Sequence, residues 1–362
     1  MSEKMTCSEC GCKVSVSDIY DLDEELVCKD CFDELTTKCH ICGKTISKEN
    51  ATEHDYNYYC SSCFNNCFRY CTECDEILAL SEVFYYDDDP YCRNCFNKID
   101  YCINEYDYKP NAIFYGNGNK YMGVELEIDE GGESKYNAKQ ILEIANQIDK
   151  HIYIKHDGSL NEGMEIVTHP MSLDYHINNM PWQEILDKAR SLEYSSHYTE
   201  TAGLHVHINK DFFGFTTEEQ DERISRVLFF IENNWDKIVC FSRRTEANIR
   251  RWAYKYDIKS NPKDVLDKAK KNSSRYTCIN ISNSNTIEFR VFRGTLKYNT
   301  LIATLQFVNE ICNVVFSMSD DEIHKLTWNR FIKRLNADEV PELITYLKER
   351  NLYIKKAGIK NV

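Results

Sequence analysis

The chain has 362 residues, 42% of them hydrophobic, with a formal net charge of -14 and 18 cysteines. That size accommodates at least one substantial core and favours two domains. Residues 1–110 carry 10 Lys and Arg against 23 Asp and Glu, and residues 111–362 carry 34 against 35, so the acidity belongs to the N-terminal part and excludes for it the basic surface that nucleic acid requires.

The start, MSEKMTCSEC, is polar and lacks the apolar run of a secretory signal, so a cytoplasmic protein is expected. Cysteines then recur with a period of 32 residues. Cys7, Cys10, Cys28 and Cys31 form the first set, Cys39, Cys42, Cys60 and Cys63 the second, and Cys71, Cys74, Cys92 and Cys95 the third. Each set is two Cys-x2-Cys pairs separated by seventeen residues, and a phenylalanine (Phe32, Phe64, Phe96) follows each last cysteine. Tetrahedral Zn²⁺ takes four thiolates, and two such knuckles supply them; a disulfide scaffold belongs to exported proteins instead. Three structural zinc sites are therefore expected, in modules at 1–34, 35–66 and 67–108. Loading them carries the segment to a charge of about -19. The expected partner is a protein or an amine-bearing substrate, with no nucleic acid and no membrane. Cys12, Cys67, Cys102, Cys240, Cys278 and Cys312 have no partner at zinc spacing, and His40 and His54 are bystanders.

Pro110, Gly116 and Gly118 mark a linker, and a second domain is expected over 112–362. In YMGVELEI, Val124, Leu126 and Ile128 alternate with Glu125 and Glu127, which predicts a strand. A helix is predicted at 138–150, short strands within 151–160 and 163–170, and a helix at 181–194. AGLHVHIN sets His205 and His207 on one side of a strand, with Leu204, Val206 and Ile208 on the other. One long helix is predicted at 217–241, and strands at 275–282 and 286–294, the latter placing Glu288 with Arg290. The stretch 300–318 is interrupted by Gln306, Asn309, Glu310 and Asn313 and reads as a core-facing helix, not a membrane span. Closing helices are predicted at 327–335 and 340–350. Any one of these polar strand faces is compatible with simple exposure to water. Together, paired carboxylates, imidazoles and an arginine are the ingredients of Mg²⁺ binding and phosphoryl transfer.

In this order, GVELEI, DGSL, EIVTHP, GLHVHI, RYTCINI and TIEFRVFRGTL resemble the amidoligase family, relatives of glutamine synthetase and glutamate-cysteine ligase, over residues 120–318. The cysteine modules likewise resemble LIM-like or treble-clef zinc modules, with longer linkers than LIM fingers. The family resemblance implies an α+β fold: a glutamine synthetase-like curved antiparallel sheet with helices, preceded by three small four-cysteine zinc modules. It implies that Glu125, Glu127, Glu165 and Glu288 hold Mg²⁺ (or Mn²⁺), that His205 and His207 lie near nucleotide phosphates, and that Arg290 contacts the transferring phosphoryl group. Asn280, Asp157 and Ser159 fall on motif positions with less defined roles. Among Arg243, Arg244, Arg250 and Arg251, Arg243 is the expected nucleotide contact. ATP is then the co-substrate of an amide-forming ligase. A phosphotransferase on the same scaffold, or an inactive interaction protein, are the alternatives. A homo-oligomer is compatible with the resemblance.

Overall fold

The computed structural model describes residues 4–86, 89–96 and 102–353; residues 1–3 of the first expected module, 87–88 and 97–101 of the third, and 354–362 of the second domain lie outside them. The chain divides into two compact units at residue 100.

The first unit repeats one pattern three times. A hairpin brackets each first Cys-x2-Cys turn: Lys4–Thr6 with Lys13–Ser15, Thr36–Lys38 with Thr45–Ser47, and Phe68–Tyr70 with Ile77–Ala79. A second hairpin follows: Ile19–Leu22 with Glu25–Cys28, Thr52–His54 with Asn57–Tyr59, and Phe84–Tyr86 with Asp89–Tyr91. It delivers the third cysteine to the start of a short helix, Lys29–Leu35, Ser61–Cys67 or Arg93–Phe96, whose third residue is the fourth cysteine. The knuckle closes because the residue after the second cysteine takes a left-handed conformation: Gly11 at φ 72°, Gly43 at 70° and Asp75 at 58°. Each donates its N–H to the carbonyl of the first cysteine, at 3.0, 2.9 and 2.9 Å. Such backbone favours glycine, and Asp is among the few residues that tolerate it.

In the second unit six antiparallel strands form one sheet: β1 (Met122–Ile128), β2 (Ile152–Lys155), β3 (Met164–Thr168), β4 (Gly203–Asn209), β5 (Ile279–Asn280) and β6 (Thr286–Arg293). Their order is β2-β3-β1-β4-β6-β5. Val124, Leu126 and Ile128 lie with Ile154, Ile166, Leu204, Val206, Ile208, Ile287 and Phe289 in one core that also takes in helix Tyr298–Phe316. Removing such side chains from water at about 25 cal/mol per Å² is what holds sheet and helices together. The opposite face is left to the polar residues.

Two local expectations change. The helix expected over 217–241 is two helices, Thr217–Asn233 and Trp235–Ser242, because Asn234 leaves helical geometry and turns its Nδ2 back onto the carbonyl of Phe230 at 2.9 Å. The strand expected over 275–282 narrows to Ile279–Asn280, since Thr277 instead bridges Tyr254. Helix Tyr298–Phe316 is buried along most of its length, and among the described residues no helix is long and apolar enough to cross a membrane.

Candidate functional site

Register brings the polar residues into rows. Lys155 of β2 pairs with Glu165 of β3, which pairs with Glu127 of β1. In the next row Glu125 pairs with His205 of β4, and in the third His207 pairs with Glu288 of β6, which pairs with Asn280 of β5. A bulge in the β4–β6 ladder falls between Leu204 and Val206. Leu204 faces Phe292 and Val206 faces Phe289, so Arg290 and Val291 share the span opposite His205. That extra residue lets Glu288, Arg290 and Arg293 all reach the polar side, the re-aiming that bulges commonly produce.

The cluster is dense and nearly dry. Glu127, Glu165 and Glu288 are each 4% exposed, His205 3% and Lys155 8%. His205 Nδ1 lies 3.3 Å from Glu125 and 3.7 Å from Glu288, and its Nε2 lies 3.6 Å from Glu127. One imidazole thus touches three carboxylates. Lys155 Nζ is 3.6 Å from Glu165. Arg290 donates to Glu288 Oε1, while Asn280 Nδ2 donates to Oε2 at 3.0 Å. Gly203 N–H donates to Glu127 Oε2.

Electrostatics separates the carboxylates. Burial, then the charges of Glu125 and Glu127, push the Glu165 carboxyl well above its usual range against the pull of Lys155. Burial also opposes the charge of Glu125, but His207 and His205 outweigh it and hold that carboxyl well below the usual range. For Glu288, burial is likewise overcome, by His207 and Arg290. His207 is raised, its burial outweighed by Glu125.

A hard divalent cation fits this donor set. Ligand atoms of Glu125, Glu165 and His205 lie within 4.8 Å of one another, as do those of Glu125, His207 and Glu288. His207 Nε2 is buried without a hydrogen bond, although Glu125 Oε1 stands 3.2 Å away. Four carboxylates on one face, three of them buried and one forced toward protonation by its neighbours, are what oxygen-seeking Mg²⁺ or Mn²⁺ would relieve.

The arginines divide. Arg243, expected at the nucleotide, spends its guanidinium on the carbonyls of Arg293 and Gly294, at 2.6 and 3.2 Å, and on His197 Nδ1 at 3.1 Å. Arg244 is instead the neighbour of Glu127. Both crowd Gly203, whose missing methyl would fall 2.4 Å from Arg244 Nη2 and 3.2 Å from Glu127 Oε2. Burial lowers Arg244 to about 10, with Glu127 opposing. Arg250 and Arg251 sit on the exposed side of helix Glu246–Trp252. Sequence periodicity cannot separate Arg243 from Arg244, which occupy a turn, and it passes over Lys155 at the end of an apolar strand. The one available signal was a lone lysine in IYIK. Asp157 and Ser159 lie in the loop after β2, where Ser159 N–H donates to Asp157 at 2.8 Å. Two cavities of about 510 and 440 Å³ open around the loops 130–133 and 157–163, and the clustered residues line neither.

In the N-terminal unit all twelve cysteines gather as three groups of four. Facing sulfurs are 3.8 Å apart in the first group (Cys10 and Cys28) and 3.9 Å in the other two (Cys42 and Cys60, Cys74 and Cys92). Thiolates at about 2.3 Å from a tetrahedral zinc stand about 3.8 Å from each other. Backbone N–H groups of Cys10 and Cys28 lower the Cys7 thiol to about 6, and those of Cys42 and Cys60 do the same for Cys39. The four-cysteine groups can therefore bind zinc. Cys12, set aside by spacing, lies with its sulfur 3.2 Å from that of Cys10.

Comparison with known proteins gives a family. Residues 119–312 match the family profile described as "Putative amidoligase enzyme". No curated protein matches. Among solved structures the chain is similar to a bifunctional glutathione synthetase from Pasteurella multocida, with 11% identity, a TM-score of 0.39, and coverage of 64% of this chain and 46% of that one.

Proposed function

The chain belongs to the amidoligase family, and from that premise we propose that it is an ATP- and Mg²⁺-dependent carboxylate–amine ligase on a glutamine synthetase-like curved sheet. The observation that carries the reading is the convergence of Glu125, Glu127, Glu165 and Glu288 with His205, His207 and Arg290 on one nearly dry face.

A carboxylate is a poor electrophile. In the proposed reaction its oxygen attacks the γ-phosphorus of ATP, the bond to the β-phosphate oxygen breaks, and ADP leaves with an acyl phosphate formed. An amine then attacks the acyl carbon, loses a proton, and expels phosphate to leave an amide. Glu125, Glu127, Glu165 and Glu288 would hold divalent cations, which supply charge neutralisation for the phosphates when bound. Arg290, fixed on Glu288, offsets negative charge on the transferring group. Asn280 holds Glu288 from the other side, and His205 spaces three carboxylates that would otherwise repel. No covalent protein nucleophile is required.

The zinc modules, LIM-like or treble-clef in type, serve in this reading to recruit a protein or an amine-bearing substrate through their acidic surface. Salt-sensitive DNA binding by the N-terminal unit would contradict that role.

The test uses Mg·ATP, dialysed lysate and hydroxylamine, which traps an acyl phosphate as a hydroxamate. Wild type yields ADP and hydroxamate, and Glu127→Gln, folded, yields neither. A stable phosphorylated product without hydroxamate would indicate a phosphotransferase, and wild-type turnover by Glu127→Gln would overturn the metal assignment.

A further inference from the structure

Residues 102–108, expected at the end of the third zinc module, fall in the C-terminal unit and run onto its sheet. Cys102 and Ile103 pack against the core of the C-terminal unit. Asn104 extends the sheet beyond β2: its N–H donates to the carbonyl of Ile154, and its carbonyl accepts from His156 N–H, each at 2.8 Å. Two residues later Tyr106 turns over the polar face. Lys155 Nζ lies 5.1 Å from its ring centroid, and its hydroxyl accepts a hydrogen bond from Arg275 Nη1.

Arg275 leads into β5, at the opposite edge of the sheet. Its guanidinium lies 5.5 Å from the Tyr106 ring and 5.2 Å from the Tyr276 ring, and that of Arg290 lies 5.8 Å from Tyr276. Lys155, Tyr106, Arg275, Tyr276 and Arg290 thus alternate cation and ring from one side of the site to the other. The two end members are bonded to Glu165 and Glu288. Tyr108 steadies the segment against Tyr153 at 5.6 Å. Six flat strands would hold the sheet edges roughly 24 Å apart. Direct contact between Tyr106 and Arg275 therefore means that the sheet curls and the segment crosses its mouth.

Next to Lys155 and Arg290, the ends of this row, the side chains of Glu127, Glu165, Glu288 and His205 are at most 6% exposed, while those of His207 and Glu125 are 17% and 23% exposed. A metal carried by a nucleotide can reach Glu125 but not the other three carboxylates while they stay so buried. We propose that residues 102–108 are a strap, latched by Tyr106 on Arg275, that opens to admit substrates and closes to exclude water. Its anchor at Cys102 to Asn104 is half-buried and hydrogen-bonded to the sheet, whereas both latch residues are exposed, so the latch is the part that can release. One hydrogen bond and one exposed cation–ring contact favour closure by roughly ten- to thirtyfold, an equilibrium that substrates can shift. Tyr106 lies outside the family match at 119–312 and Arg275 inside it. The strap rests on geometry; its consequence for turnover rests on the ligase reading.

Hydrogen–deuterium exchange on the full zinc-loaded chain tests it, comparing wild type with Tyr106→Phe, Arg275→Ala and Arg275→Lys. Tyr106→Phe and Arg275→Ala are expected to raise exchange roughly tenfold at the Tyr108 amide, which donates to the Glu105 carbonyl at 3.0 Å, with the anchor amides of Asn104 and His156 and strands β1 and β4 unchanged and partial recovery in Arg275→Lys. Unchanged exchange in both variants would overturn the strap, as would a rise spread equally through β1 and β4. In the hydroxylamine assay Tyr106→Phe should release more ADP per hydroxamate, because water gains entry. Absence of ADP from wild type would remove the ligase reading and leave the exchange result to decide the strap alone.

Discussion

Replacing Gly203 with alanine adds one methyl at the centre of the site. That carbon would fall 2.4 Å from Arg244 Nη2, 2.9 Å from His205 Nε2 and 3.2 Å from Glu127 Oε2. Ordinary contact needs about 3.4 Å or more, so the guanidinium must retreat by about 1 Å. It has little room, since Arg244 Nε is held on the carbonyl of Phe292 at 3.1 Å and the side chain is buried. Overpacking of this kind costs about 1–3 kcal/mol, or roughly 2–6 °C in Tm for a unit of this size. Displacing a positioned group by about 1 Å costs on the order of a hundredfold in rate. Gly123→Ala is the control: it lies on the same face, and its added carbon would meet His207 Cβ at 3.5 Å, an ordinary contact. Hydroxamate formation, Mn²⁺ affinity and Tm measured on both variants decide the matter. Expected is a loss of about a hundredfold for Gly203→Ala and a change within about twofold for Gly123→Ala. Equal effects from the two, or wild-type turnover and Mn²⁺ affinity in Gly203→Ala, would refute the placement of Arg244, His205 and Glu127 as one cluster.

Three further outcomes are expected. Metal analysis should find three zinc ions per chain, and chelation should open the N-terminal modules to protease while residues 102–353 resist, because the module cores are little more than cysteines and a few neighbours such as Val27 or Leu78. His176 is fully buried, with Nε2 3.1 Å from the carbonyl of Met122 and Trp182 Nε1 donating to Nδ1, and burial lowers it to about 4. The folded state keeps it neutral while the unfolded chain takes up its proton below about 6.5, so stability is lost as pH falls from 6.5 through 4. The loss approaches about 3 kcal/mol at pH 4, to be read from urea unfolding of wild type against His176→Gln, which should lack this component. Arg244→Met, which removes the buried guanidinium near Glu127 and leaves the Phe292 carbonyl without that donor, should cost about 1–3 kcal/mol in unfolding free energy in metal-free buffer; no change would show that the guanidinium holds nothing in place.

The cysteine period and the alternation in GVELEI, GLHVHI and TIEFRVF are local properties, since a knuckle closes within five residues and a strand's two faces follow from its own pleat. From these the three four-cysteine groups, an α+β unit and the choice of polar side chains were legible without any long-range contact. Which polar side chains meet was not. Glu127 faces Glu165 and His207 faces Glu288 because of strand order and register, and the bulge opposite His205 adds a residue that periodicity cannot anticipate. Lys155, Arg244 and Tyr106 entered the site through partners 10, 117 and 169 positions away, Glu165, Glu127 and Arg275. Neighbours along the chain set which groups each strand and turn presents, because secondary structure follows from local pattern. Which of those groups share a charge balance depends on distance and burial in space, and so on strand order and register.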